Sequence, residues 1–253
     1  MSTHTYKLTI AYDGTLYQGW QKQPNRPTIQ AAIEKAFLSI TGETVSLSGA
    51  GRTDAGVHAL AQVAHFHLTR DKDPAKLLIG VNALLPDDIA IKSVEKVDAA
   101  FHARFLAQSK TYRYFIHNGP IRSPHGRQTA WHIKKPLHLT KMRTAASYFI
   151  GNRDFSSVVA ADHDSKNSML DLREIRIVKR GEQIVITLIA TRFLKYMVRN
   201  IVGLLVEVGI GRRLASDIVP ILDGRDRRLA GRTAPPHGLF LVEVDYGCHS
   251  ERI

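Results

Sequence analysis

Gly51-Arg52-Thr53-Asp54-Ala55-Gly56-Val57-His58-Ala59 packs an acid, a guanidinium and two glycines into one short stretch. Its flanks say what kind of fold holds it. Val45, Leu47 and Ala50 ahead of it read as a short strand, and Gln62-Val63-Ala64-His65-Phe66-His67-Leu68 after it alternates like another. The stretch is thus read as a loop joining two buried strands. Glycines at 49, 51 and 56 allow its backbone positive φ angles and close approach to a ligand.

Working outward, Tyr6 to Tyr12 reads as a strand ended by Asp13-Gly14. Pro27 and Thr28 open a helix with Ile29, Ile33, Phe37 and Ile40 at helical spacing and Gly42 as its stop. A second helix is expected over Pro74 to Leu85, closed by Pro86, and a strand over Ile89 to Val97. The order β-α-β-β-α-β is the ferredoxin-like pattern. The second half repeats it with longer connections. Thr111 to His117 is a strand, and Leu139 to Ile150 a helix started by Thr140 and stopped by Gly151-Asn152. Leu172 to Val178 and Ile184 to Ala190 form a hairpin across Arg180-Gly181-Glu182. A helix with Met197, Ile201, Leu204, Leu205 and Val208 on one stripe follows, and Leu239 to Val244 closes the set. The fold class expected is α+β: two ferredoxin-like halves with antiparallel sheets side by side, helices on one face and an active-site cleft between the halves. The domains expected are 1–105, carrying the Asp54 loop, and 106–253. The polar stretch Ala160 to Ser168 reads as a mobile loop.

The chain's 253 residues suit two domains of roughly 100–150 residues each. At 44% hydrophobic and 23% charged residues it has the composition of a folded protein. Its net charge of +12 and pI near 9.9 suit a polyanionic partner, with nucleic acid first in line and a merely basic surface as the alternative. The single cysteine, Cys248, excludes an intrachain disulfide and a cysteine-rich metal cluster. No apolar run approaches the roughly 20 residues of a membrane span, and the polar start lacks a signal-peptide apolar region. A cytoplasmic protein with no membrane partner is expected.

Asp54, taken alone, is an ordinary turn residue bonding its own backbone. Arg52 beside it, and Arg199 at the start of the last long helix, change that reading. A guanidinium near the carboxyl keeps it ionised, as a nucleophile or base requires. His58 is placed for acid–base work four residues on, but a histidine facing backbone is the better reading. His65 and His67 share a strand face without a third ligand at a recognisable interval, so a polar face is expected and no metal. Tyr112 and Tyr114 share a face opposite Arg113, either as a surface for stacking a base or as a core aromatic pair. Arg225, Arg227, Arg228 and Arg232 form a basic cluster, either a phosphate-contacting patch or a plain solvated surface.

Taken together these stretches resemble the TruA family of transfer-RNA pseudouridine synthases. The resemblance lies in Tyr12-Asp13-Gly14 with Gly19-Trp20-Gln21, the loop from Gly51 to His58, Phe101-His102-Ala103-Arg104-Phe105 leading to Tyr112-Arg113-Tyr114, Met197 to Gly203, and Ala234-Pro235 to Gly238-Leu239. The chain departs from many relatives at Lys195-Tyr196, where they place a histidine before the methionine. The resemblance implies isomerisation of uridine to pseudouridine at positions 38, 39 and 40 of the tRNA anticodon stem-loop, by base flipping and without a cofactor. It implies that Asp54 is the catalytic aspartate, that Tyr112 stacks on the target base and that Arg199 pairs with the aspartate. Arg52 would help extrude the nucleotide, Leu239 would wall the pocket, and the enzyme would work as a homodimer. No P-loop, dinucleotide fingerprint or metal cluster is needed for such chemistry, and none is present in the sequence. Two other readings are a non-catalytic RNA-binding protein using Tyr112 and Tyr114 as platforms, which leaves Asp54 without a job, and a carboxylate glycosidase or phosphotransferase, which lacks a second acid near Asp54.

Overall fold

The computed structural model describes residues 3–160 and 167–247. The chain divides into two compact units, Met1–Gln108 with Leu241–Ile253, and Ser109–Phe240. It is an α+β protein whose strand pairings are mostly antiparallel.

The first unit runs β1 (His4–Tyr12), α1 (Ile29–Thr41), β2 (Ser48–Gly49), β3 (His58–Leu68), α2 (Pro74–Asn82) and β4 (Ile89–Val97). This is the β-α-β-β-α-β order expected. β1 lies between β4 and β3, antiparallel to both, and β2 pairs with β3. Alternation along β1 sends Tyr6, Leu8 and Ile10 inward to complete burial. There Phe66 of β3 stacks on Tyr6 at 5.4 Å and meets Phe37 of α1 at 4.5 Å. Thr28 caps α1 by accepting the Ala31 amide, and Gly42 ends it in the left-handed region at φ 72°.

Two boundaries differ from expectation. The strand read from Val45, Leu47 and Ala50 is a ladder of only Ser48 and Gly49, although Val45 and Leu47 are buried. Side chains of α1 replace a strand partner there: the Leu47 amide donates to Glu34 Oε1, and Gln30 Nε2 donates to the Leu47 carbonyl. The second helix ends at Asn82, not Leu85. The Asn82 amide group donates to the carbonyls of Leu78 and Ile91 and accepts the Ile91 amide, joining the helix end to β4.

The second unit contains β5 (Ser109–His117), β6 (Trp131–His132), α3 (Leu139–Ser147), β7 (Gly151–Asp154), β8 (Met169–Arg180), β9 (Gln183–Ala190), α4 (Met197–Gly209) and α5 (Ile218–Asp223). Its antiparallel strand order is β5-β9-β8-β7, with the short β6 parallel to β5. The expected hairpin is present, with Arg180 opposite Gln183 and Gly181 at φ 57°. β10 (Leu239–Asp245) closes the series, its residues from Leu241 onward counting with the first unit. α3 has no side-chain cap from Thr140; it starts at Leu139 after His138, whose amide donates to the Gly209 carbonyl of α4. It ends at Ser147, and 3-10-type bonds from Phe149 to Ala146 and Ile150 to Ser147 finish the segment that was read as its last turn. Of the stretch read as a mobile loop, residues 161–166 lie outside the described residues. Among the described residues no helix is long and apolar enough to cross a membrane.

Candidate active site

The Asp54 loop is fixed from its sides. Thr53 is buried, and its hydroxyl lies 2.8 Å from the Tyr12 phenol. Burial pushes the Tyr12 phenol far above its usual range, while bonds to Thr53 and Gln62 pull the other way, so the phenol keeps its proton. The Thr53 carbonyl accepts the Trp20 amide at 3.1 Å, the Gly51 carbonyl accepts Gln62 Nε2 at 2.8 Å, and the Gly56 amide donates to the Tyr17 carbonyl at 3.3 Å. A backbone bond from Val57 N to Asp54 O closes a turn whose third residue, Gly56, sits at φ 74°, the position that favours glycine in a type II turn. Gly14 and Gly19 press against this loop. A Cβ on Gly14 would collide with the Val57 carbonyl, and one on Gly19 would stand 2.6 Å from the Thr53 carbonyl. Between these fastenings the side chains alternate in exposure: Arg52 is exposed, Thr53 buried, Asp54 half-buried.

His58 opens β3 as a buried residue, not a loop residue. Its Nδ1 lies 3.1 Å from Asp13 Oδ1 and 3.2 Å from the Gly14 amide; it serves one at a time, with a proton toward the carboxylate or a lone pair toward the amide. Burial tends to raise the Asp13 carboxyl, but bonds from Thr15 and the nearby imidazole outweigh it and leave the group below its ordinary value. His58 is thereby part of the brace formed by Tyr12-Asp13-Gly14, in agreement with its structural reading.

Tyr12, Gly14, Gly19, Trp20 and Gln62 are the residues whose roles the sequence did not supply. All but Gln62 stood in resembling motifs, but their contacts with one loop span up to 43 positions of sequence. Spacing alone carries no trace of that. Gln62, a wholly buried amide inside an apolar strand, was the available signal.

In the second unit, Tyr112 of β5 is buried and meets Phe193 edge-on at 5.0 Å. Tyr114 is core: it is wholly buried, donates to the Pro235 carbonyl at 2.8 Å, and leaves no room for a Cβ on Gly238. Of the two readings of the pair, Tyr114 fits the core one. Arg199 lies in the first turn of α4, where Nε donates to the Ala234 carbonyl at 2.8 Å and the Ala234 amide donates back to the Arg199 carbonyl at 3.0 Å. Its guanidinium covers the Tyr196 ring at 4.8 Å. Leu239 follows the Pro236–Gly238 turn as the buried first residue of β10. The structure therefore brings Arg52 and Asp54 together on one loop of the first unit, and gathers Arg199, Tyr196 and the Ala234–Pro235 segment in the second.

A plain solvated surface does not describe all four C-terminal arginines. Arg227 donates to Asn200 Oδ1, Thr233 Oγ1 and the Gly231 carbonyl. Arg225 pairs with Asp154 at 3.2 Å, Arg228 with Asp226 at 2.6 Å, and Arg232 covers the Trp131 ring at 5.5 Å. The wholly buried Asn200 is the hub, its amide also donating to the Val158 carbonyl. An asparagine inside an apolar helical stripe was the sequence signal for it.

The face that His65 shares with His67 is polar, as expected, but His65 is covered there. It is buried, its Nδ1 accepts the Ala103 amide, and its ring meets His102 at 4.6 Å. Burial, followed by repulsion from His102 and His67, lowers its pKa to about 4, which keeps Nδ1 an acceptor. Among the described residues no group of three or more His, Cys, Asp or Glu could hold a metal ion.

A carboxylate and a guanidinium on one well-fastened loop, in a strongly basic chain, suit an enzyme acting on nucleic acid, and the class itself comes from comparison with known proteins. A family model described as tRNA pseudouridine synthase matches residues 8–106 and 145–247. The tRNA pseudouridine synthase A of Acetivibrio thermocellus is 45% identical over 240 residues, covering 95% of this chain and 98% of its own. That of Blochmanniella pennsylvanica is 46% identical over 239 residues, covering 94% and 92%, and that of Myxococcus xanthus 44% identical over 241 residues, covering 95% and 91%. The chain belongs to the tRNA pseudouridine synthase family, whose members are isomerases. These relatives all bear the A-type name, that of the TruA family which the motifs resemble.

Proposed function

We propose that this chain isomerises uridine to pseudouridine at positions 38, 39 and 40 of the tRNA anticodon stem-loop, with Asp54 as the catalytic carboxylate. The observation that carries the role of Asp54 is the loop itself: a half-buried carboxylate beside an exposed guanidinium, on a backbone held by Tyr12, Tyr17, Trp20 and Gln62. Such pre-organisation is what a group acting at a single carbon requires.

In the reaction the N1–C1′ bond breaks, the uracil turns, and C5 bonds to C1′; C5 gives up a proton and N1 gains one, so no oxidant, water or energy source is consumed. A carboxylate serves this either by attacking C1′ or by removing a sugar proton, and both roles need it ionised. The target nucleotide leaves its stack first, at a cost of about a few kcal/mol. Arg52 is proposed to occupy the vacated space, Tyr112 to stack on the extruded base, Arg199 to hold the substrate and Leu239 to line the pocket. We assign the enzyme to the cytoplasm and to a homodimer, and a monomeric mass by light scattering would remove the latter.

Incubation with unmodified tRNA, followed by carbodiimide treatment and primer extension, is expected to give stops at positions 38 to 40. Absence of stops with the wild-type protein would overturn the proposal. For Arg199→Ala, turnover is expected to be lost with folding retained; unchanged turnover would remove Arg199 from the site.

A further inference from the structure

Ten of the 35 Lys and Arg, and none of the 23 Asp and Glu, fall between residues 99 and 153, so this stretch carries ten of the chain's twelve net positive charges. Its densest exposed part is the excursion between β5 and α3, with Arg122, Arg127, Lys134 and Lys135. Among the described residues none of these four forms an ion pair. Arg127 donates to the Pro124 carbonyl, which holds the side chain without neutralising it. Some cations elsewhere are paired: Lys7, Lys96, Arg213, Arg225 and Arg228 meet carboxylates.

The excursion is built, not loose. Asn118 is buried at its base and donates to the Ile133 and Lys135 carbonyls at 2.9 and 2.8 Å, while accepting the Leu137 amide at 3.3 Å. His117 Nε2 lies 2.8 Å from the Ile121 carbonyl and His132 Nε2 2.9 Å from that of Gly119. The Ile133 amide donates to the His117 carbonyl. Glu182 stands at the base, its carboxylate 3.7 Å from His117. Asn118 therefore fixes the backbone on which Lys134 and Lys135 ride, holding the carbonyl just before the pair and the one at its end.

Like charges held close on an ordered backbone raise the local positive potential and attract polyanions. We propose that Arg122, Arg127, Lys134 and Lys135 form a phosphate-binding surface for the RNA backbone, outside the residues assigned to the reaction. This rests on the tRNA reading above and adds to it where affinity comes from. Polyphosphate fits better than a second copy of the chain, because two such surfaces would repel. The segment also lies in the interval 107–144 between the two family-matched spans.

The test uses an unmodified tRNA transcript and the variant Arg122→Ala/Arg127→Ala/Lys134→Ala/Lys135→Ala. Affinity measured across a salt series is expected to fall about tenfold near 0.1 M salt, and the slope of log affinity against log salt to become shallower by about 2 to 4, near one per lost phosphate contact. KM is expected to rise with kcat kept at saturating tRNA. Lys134→Arg/Lys135→Arg, which keeps the charge, is expected to behave as wild type, and circular dichroism checks that both variants fold. Unchanged affinity and slope would overturn the inference, as would a fall in kcat without a rise in KM, or a changed light-scattering mass with an unchanged slope, which would make the surface an interface between copies. A wild-type protein that forms no pseudouridine would overturn the proposed function instead, whatever the variant does.

Discussion

The loop at 51–58 and the segment at 225–234 are both arginine-bearing, both short of regular structure and both tightly held, but the residues that do the holding differ. In the first, the fastenings are the Gly51 carbonyl, Thr53, the Gly56 amide and His58, and Arg52 and Asp54 stand between them. In the second, the arginines are themselves the fastenings, with Arg227 on Asn200 and Thr233, Arg225 on Asp154 and Arg232 on Trp131. Around Asp54 the neighbours immobilise the backbone, whereas Arg227 ties its segment together with its own donors. The count of arginines in a stretch of sequence does not separate the two cases.

Substitutions can break this contrast. The largest effect on stability is expected at Asn200 in the second segment: Asn200→Ala leaves the buried Val158 carbonyl without its donor and the half-buried Arg227 guanidinium one acceptor short, for a loss of about 2 kcal/mol in chemical denaturation. A loss below about 1 kcal/mol would mean that Arg227 does not depend on Asn200. In the first loop, Tyr12→Phe removes the phenol that braces Thr53 and is expected to cost about 1 kcal/mol in stability while lowering kcat more than KM. Wild-type kcat would show that the brace does not position the loop.

His65 gives a pH-dependent test. Its folded pKa, about 4, lies below the ordinary 6.5, so the unfolded chain binds more protons in between and the contribution of neutral His65 to stability is lost as pH falls through that window. His65→Asn, which retains an acceptor for the Ala103 amide, is expected to flatten the fall in melting temperature between pH 6.5 and about 5. An unaltered slope would place the sensitivity elsewhere. The smallest effect is expected for Arg228→Ala, whose pair with Asp226 is exposed: within about 0.5 kcal/mol and without effect on turnover.

Local pattern made most of the first unit legible. Alternation in β1 and β3, the Thr28 cap and the Gly42 stop all act over a few residues, and the structure realises each. Expectations failed where a side chain from another element replaced a backbone partner, as Glu34 and Gln30 do for Leu47, or where a turn folded over a strand, as 101–105 does over His65. The site divides in the same way. The composition of residues 51–58 drew attention to Asp54, but the contacts of Gly14, Gly19 and Gln62 with that loop, and of Ala234 with Arg199, depend on tertiary packing that no window of sequence contains.

The role of Asp54 is tested most directly by Asp54→Asn, which keeps the size of the side chain and removes its charge. With unmodified tRNA under single-turnover conditions, pseudouridine formation at positions 38 to 40 is expected to fall by more than about 10³-fold, while tRNA affinity and melting temperature stay near those of wild type. Turnover at the wild-type rate would contradict the account, and a loss of affinity as large as the loss of rate would make Asp54 a binding residue instead of the catalytic one.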